Sequence, residues 1–172
     1  MTDGSVVPPG RGELIGDQRV SVTFKVTGAD SRHTSIFESR VAPGFDTGAH
    51  LHRRLEESFY VLEGELEVFA FEPTLRTADD WTGWQAHDGR RPVRAGPGTC
   101  VFVPPGCPHA FRNPSCAPAR FLFTASPPPD HEHYLRGIAQ ILAARADVDE
   151  EAVARLRTTH DTHQITPLRY RP

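Results

Sequence analysis

Residues 44–64 read Gly44-FDTGA-His50-Leu51-His52-RRLE-Glu57-SFYVLE-Gly64, and residues 98–113 read Gly98-TCVFV-Pro104-Pro105-Gly106-CP-His109-AFR-Asn113. Side chains two apart on an extended strand project from the same face, so His50 and His52 can point together into whatever that strand covers. Glu57 and His109 complete a set of three imidazoles and one carboxylate. Such donors suit a first-row divalent metal and leave coordination positions open for a substrate, whereas four cysteines would mark a closed structural site. Glu56 and Glu57 face opposite ways once the strand has begun. Glu57 shares parity with Phe59 and Val61, which makes it the ligand candidate and Glu56 the solvent-facing neighbour.

The two stretches resemble the paired signature motifs of the cupin superfamily: a glycine, His-x-His, a glutamate and a glycine, then a glycine, Pro-x-Gly, a histidine and an asparagine. All ten fixed positions are present, from Gly44 to Asn113. The resemblance covers about residues 35–125 and is strongest to small single-domain, quercetin-dioxygenase-like cupins. It implies an antiparallel jelly-roll barrel, one divalent metal (Fe, Mn, Ni, Cu or Zn) on His50, His52, Glu57 and His109, and a homodimer. It also implies a metal-dependent dioxygenase acting on a small enolisable or phenolic compound, with Glu57 doubling as the catalytic proton acceptor. Two alternatives stay open: a non-oxidative cyclase, isomerase or decarboxylase in which the metal is only a Lewis acid, and a small-molecule-binding cupin with no turnover. Fold alone does not choose among them.

Composition agrees with one compact domain. At 172 residues the chain can bury most of its apolar surface without disulfides or a structural metal. A formal charge of -3 offers no general attraction to nucleic acid or anionic membranes. No 18-residue apolar run exists, and the start, MTDGSVVPPGRGE, lacks a basic-then-apolar leader pattern, so a cytoplasmic protein is expected. The three cysteines, Cys100, Cys107 and Cys116, are odd in number and form no CxxC pair, which argues against a secreted disulfide framework. Cys107 is expected as a small apolar residue near the site rather than a nucleophile, since no base lies beside it.

The pattern is mostly of short strands. Val20, Val22, Phe24 and Val26 alternate with polar residues, and Glu63-Gly64 between two strand-like runs predicts a two-residue hairpin. Thr99–Val103 and Phe121–Ala125 are apolar on both faces, which predicts cover outside the barrel as well as filling within it. The fold class expected is therefore all-β, an antiparallel jelly-roll barrel over residues 1–126. After Pro127-Pro128-Pro129 the period changes. Asp130 is a candidate N-cap, and Tyr134, Ile138, Ile141 and Leu142 fall on one helical stripe. A second helix is expected from Asp149, with Glu150 and Glu151 in its first turn and Val153 and Leu156 as its apolar positions. Residues 127–172 are thus expected as a helical appendage packed on the outer face of the sheet.

Phe59, Phe111, Phe102 and Phe123 are the candidates for an apolar substrate pocket. Residues 72–91, the longest stretch without clear periodicity, carry Trp81 and Trp84, which would serve either as a lid or as pins holding the loop to the barrel's outside. His131 and His133 diverge on a helix and cannot chelate as a pair, so both are expected at a solvated helix start.

Overall fold

The computed structural model describes residues 3–77, 80–144 and 146–171. Thirteen strands precede the helices: β1 (Glu13–Gly16), β2 (Val20–Val26), β3 (Ser35–Val41), β4 (Phe45–Asp46), β5 (His50–Leu51), β6 (Glu56–Glu63), β7 (Leu66–Ala70), β8 (Pro73–Leu75), β9 (Gln85–Ala86), β10 (Val93–Ala95), β11 (Cys100–Val103), β12 (His109–Arg112) and β13 (Ala119–Ser126). Then come α1 (Asp130–Ala144), α2 (Glu150–Thr159), β14 (His163–Gln164) and β15 (Arg169–Tyr170). Two antiparallel sheets face each other, as the jelly-roll expectation requires. One runs β1-β2-β3-β13-β6-β11; the other runs β10-β7-β12-β4-β15, with β5 pairing both β12 and β14.

Alternation sets which residues fill the space between the sheets. On β13 every second residue, Ala119, Phe121, Phe123 and Ala125, is buried, and on β6 the inward set is Glu57, Phe59 and Val61. Phe123 stacks between Phe37 and Phe59, with ring centroids 4.7 and 5.5 Å away. This aromatic column buries large apolar area with few rotamers to fix.

Glu63-Gly64 is a turn, but not of a hairpin. β6 pairs with β13 and β11 while β7 pairs with β10 and β12, so the turn carries the chain from one sheet to the other. Gly64 is required there: its φ is +74°, and a Cβ would stand 2.6 Å from the Pro118 carbonyl oxygen. The expected outer cover of β11 is also missing. β11 is the edge of its sheet, with only Val103 fully buried, and Phe102 is 56% exposed.

Both helices form where the stripe and the acidic first turn place them. Asp149 caps α2, its carboxylate accepting from Ala152 N at 2.9 Å. The stripe of α1 does not lie on the outside of a sheet, however. Tyr134 and Ile138 look between the sheets and line a cavity with Val22, Val41 and Phe123, so α1 closes the open side of the barrel. Glu132 fixes its start by accepting from Ser35 Oγ and Gly28 N, both at 2.6 Å. The last residues are not helical either: β14 pairs with β5, and β15 with β4, returning the chain to the barrel. No helix is long and apolar enough to cross a membrane among the described residues.

Candidate metal centre

β5 is only two residues long and delivers His50; His52 follows on the next turn, Glu57 projects inward from β6, and His109 opens β12 directly opposite His50. The four side chains are buried, and one ligand atom from each lies within 4.8 Å of all the others. All the residues that the sequence nominated as ligands are therefore brought together.

The hydrogen bonds behind the rings decide their tautomers. Nδ1 of His50 lies 2.8 Å from the Gly48 carbonyl, Nδ1 of His109 lies 3.1 Å from that of Cys107, and Nδ1 of His52 bonds the carbonyl of Asp161. A carbonyl only accepts, so each Nδ1 carries the proton and each Nε2 presents a lone pair. Nε2 of His52 and of His109 is buried with no hydrogen-bond partner among the described residues. Both face Glu57: His109 Nε2 stands 3.0 Å from Oε2 and His52 Nε2 3.5 Å from Oε1. Lone pairs aimed at a carboxylate in a buried site repel unless a cation lies between them, so the donor set fits a divalent metal.

The protonation states match. Burial holds His50 well below the ordinary histidine value, helped by His109 and Arg157, and burial likewise lowers His52. Burial pushes the Glu57 carboxyl up, but positive charge at the facing His52, His109 and His131 outweighs it and holds Glu57 at about 2; a metal between Glu57 and the imidazoles would supply such charge with the rings neutral. Neutral imidazoles beside an ionised carboxylate are the forms that bind metal.

Three groups escaped the sequence reading. His131, expected in solvent, is 6% exposed, and its Nε2 stands 3.4 Å from Glu57 Oε1; only His133 is exposed. The two do diverge, but His131 precedes Tyr134 by three residues and Ile138 by seven, so it belongs to the buried stripe. Arg157, four residues after the apolar Val153 of α2, is buried for the same reason. Asp161 carried no signal. Its carboxylate accepts from the backbone N–H groups of Arg53, Arg54 and Leu55 at 3.1, 2.8 and 3.1 Å, clamping the turn between His52 and Glu57. Asp130 in turn accepts from Asp161 N at 3.0 Å, which ties that clamp to the start of α1.

Beside the cluster lies a cavity of about 80 Å³ walled by Phe59, Phe111 and Phe123, with His50, Glu57 and His131 at its polar end. Phe102 is not part of it, because the odd-even parity of β11 turns Val101 and Val103 inward and Phe102 out. Trp81 and Trp84 are not a lid. Both are fully buried against Phe69, Phe71 and Ala110 in a second apolar cluster, with Trp81 Nε1 donating to Asp46 Oδ1 at 2.9 Å. Residues 78 and 79 of that loop lie outside the described residues. Cys107 is half-buried, and burial pushes its thiol up, as suits a packing role.

A family model of the cupins matches residues 21–165. The chain is a cupin. No curated protein matches this cupin in sequence. Among solved structures it is similar to KdgF from Halomonas sp., at 15% identity over 76% of this chain and 99% of that one, with a TM-score of 0.58. It is also similar to the polyketide cyclase RemF from Streptomyces resistomycificus, at 24% identity over 74% of this cupin and 83% of that chain, with a TM-score of 0.55. A sugar phosphate isomerase of the cupin superfamily from Silicibacter pomeroyi aligns at 21% identity over 73% of this cupin and 77% of that chain, with a TM-score of 0.54. These likenesses establish the fold; the chemistry has to come from the site.

Proposed function

We propose that this cupin is a metal-dependent enzyme acting on a small, largely apolar substrate with an enolisable carbonyl or phenolic hydroxyl, and that its central step is a proton transfer on that substrate. The observation that supports this is His131 Nε2 at 3.4 Å from Glu57 Oε1 on the cavity wall: an acid–base group beyond the four that would hold a metal. On His50, His52, Glu57 and His109 a divalent metal would supply Lewis-acid polarisation of a substrate oxygen, lowering the pKa of the adjoining hydroxyl or α-C–H. The protein's own groups do the rest. Phe59, Phe111 and Phe123 exclude water and align an apolar ring or chain, Glu57 Oε1 accepts the released proton, and His131 Nε2 exchanges it with Glu57 or returns it to the product.

The second reading is the oxygen-consuming one, in which the same electron-rich substrate reacts with dioxygen. The open positions of a four-ligand set and the apolar phenylalanine walls favour it. Two measurements separate the possibilities. Elemental analysis should find one divalent metal in the purified protein and little in His109→Ala; full occupancy in that variant removes the assignment. Incubation with β-diketones, catechols and flavonols in D2O should then give deuterium incorporation or rearrangement without oxygen uptake. Turnover that consumes oxygen stoichiometrically and stops in Glu57→Gln replaces the proton-transfer reading with the dioxygenase.

A further inference from the structure

Arg157 is a buried cation without a counter-anion. It is 2% exposed, and no carboxylate pairs with it among the described residues. Its Nε donates to Tyr134 Oη at 3.0 Å, its Nη1 to Gln164 Oε1 at 3.3 Å and its Nη2 to the Thr47 carbonyl at 2.7 Å. All three acceptors are neutral. A guanidinium has five N–H donors, so these three bonds leave two without a partner among the described residues. Arg157 lines the same cavity as His50, Glu57 and His131, and its charge helps to hold His50 neutral.

A buried ion loses most of its hydration, and the neutral acceptors around Arg157 offset only part of that loss. Structural cations in this molecule are treated differently: Arg112 is paired with Glu67 at 2.6 Å, and Arg120 with Glu38 at 2.9 Å. What α2 brings to the cavity is a positive charge that no carboxylate pairs with among the described residues.

We infer that the cavity takes a monoanionic carboxylate, whose oxygens lie on the two spare N–H groups of Arg157 while the reacting oxygen lies at the histidine–glutamate cluster. One cation with a spare donor on each of its two terminal nitrogens suits the two oxygens of a carboxylate. A phosphate dianion would carry a second negative charge and more acceptor oxygens than the phenylalanine walls can satisfy. The inference rests on the proposed function in taking this cavity as the active site, and it narrows the substrate to an apolar compound bearing both a carboxylate and an enolisable or phenolic oxygen.

The test compares 4-hydroxybenzoate with 4-hydroxybenzamide, a pair of similar shape that differs in charge, by calorimetric titration of the full-length protein. Wild-type protein should bind the acid at least about tenfold more tightly, the loss expected when a buried charged donor goes unpaired. Arg157→Met should abolish the preference, and Arg157→Lys should keep part of it. The same preference should persist in metal-stripped wild-type protein, so a failure of the metal assignment would not be mistaken for a failure of this one. Equal binding of acid and amide by wild-type protein overturns the inference, as does a preference surviving in Arg157→Met. Competition by millimolar inorganic phosphate against 4-hydroxybenzoate would overturn the carboxylate in favour of a phosphate.

Discussion

Replacing Asp161 with Ala should loosen the loop that carries the candidate metal ligands without touching any of them. The carboxylate holds three backbone N–H groups, on Arg53, Arg54 and Leu55, and the bond to Leu55 is buried while the other two are part-buried. Hydrogen bonds to a charged acceptor are worth about 1.5–3 kcal/mol each, less where water can replace the acceptor. Counting about 1 kcal/mol for each part-buried bond and about 2 for the buried one gives a loss of about 4 kcal/mol. In a domain of this size each kcal/mol lowers Tm by about 2–4 °C, so metal-free Asp161→Ala should melt about 10 °C below wild type. Melting the metal-free forms keeps mass-action stabilisation by the ligand out of the comparison. The same variant should bind metal about tenfold more weakly, because the Asp161 carbonyl that orients His52 moves with the released loop. Asp161→Asn, which keeps one acceptor oxygen, should recover part of both losses. A melting point within about 2 °C of wild type, with unchanged metal affinity in a chelator competition, would show that the loop is held by something other than this carboxylate.

Gly48→Ala should destabilise by more than about 3 kcal/mol or prevent folding, seen as lost soluble expression, because φ is +66° and a Cβ would stand 2.4 Å from the carbonyl oxygens of Thr166 and Pro167. Truncation after Ala125 removes α1, α2, β14 and β15, uncovers the inner faces of both sheets and should yield aggregated protein; a soluble, cooperatively melting fragment would contradict the role given to α1. Metal-free wild-type protein should lose stability as pH falls from about 6.5 towards 4.5. His131 drops to about 4 on folding, with burial as the first cause, and His50 and His52 are lowered too, so the unfolded chain binds more protons in that window. Their contribution is complete above about 6.5 and is lost as the pH falls, whereas Glu57 and Asp161, both lowered, withdraw theirs only below about 4.5. A melting temperature flat between pH 6.5 and 4.5 would place these imidazoles in solvent-like surroundings.

Of the candidate ligands, Glu57 was legible from its parity with Phe59 and Val61 on β6, and His50, His52 and His109 from the paired motifs, because β5 ends at Leu51 and strand spacing alone does not aim His52. Parity also decides Phe102, whose neighbours Val101 and Val103 turn inward; reading the run as apolar on both faces hid an edge strand whose outer side has no cover. The Glu63-Gly64 turn was visible, yet local sequence does not encode whether the strands it joins lie in one sheet or two. β14 and β15 were invisible for a related reason. Two residues carry no period, and they are strands only because β5 and β4 present edges to them.

Those short strands explain why the end of the chain matters to the centre of the barrel. β5 and β4 have two residues each, too few for a ladder to hold them in one register by itself. β5 carries His50, and the loop after it carries His52, so an error of one residue would turn a candidate ligand out of the site. β14 pairs His163 with Leu51 and Gln164 with His50, β15 pairs Tyr170 with Phe45, and Asp161 clamps the turn that follows. The same returning segment delivers Arg157 and, through α1, His131 to the cavity wall. The barrel thus supplies the four candidate ligands, while the C-terminal chain fixes their register and adds the charged and acid–base groups that would act on a substrate. Substrate preference should therefore respond to changes in α1 and α2 that leave the ligands in place, the separation that Arg157→Met is designed to detect.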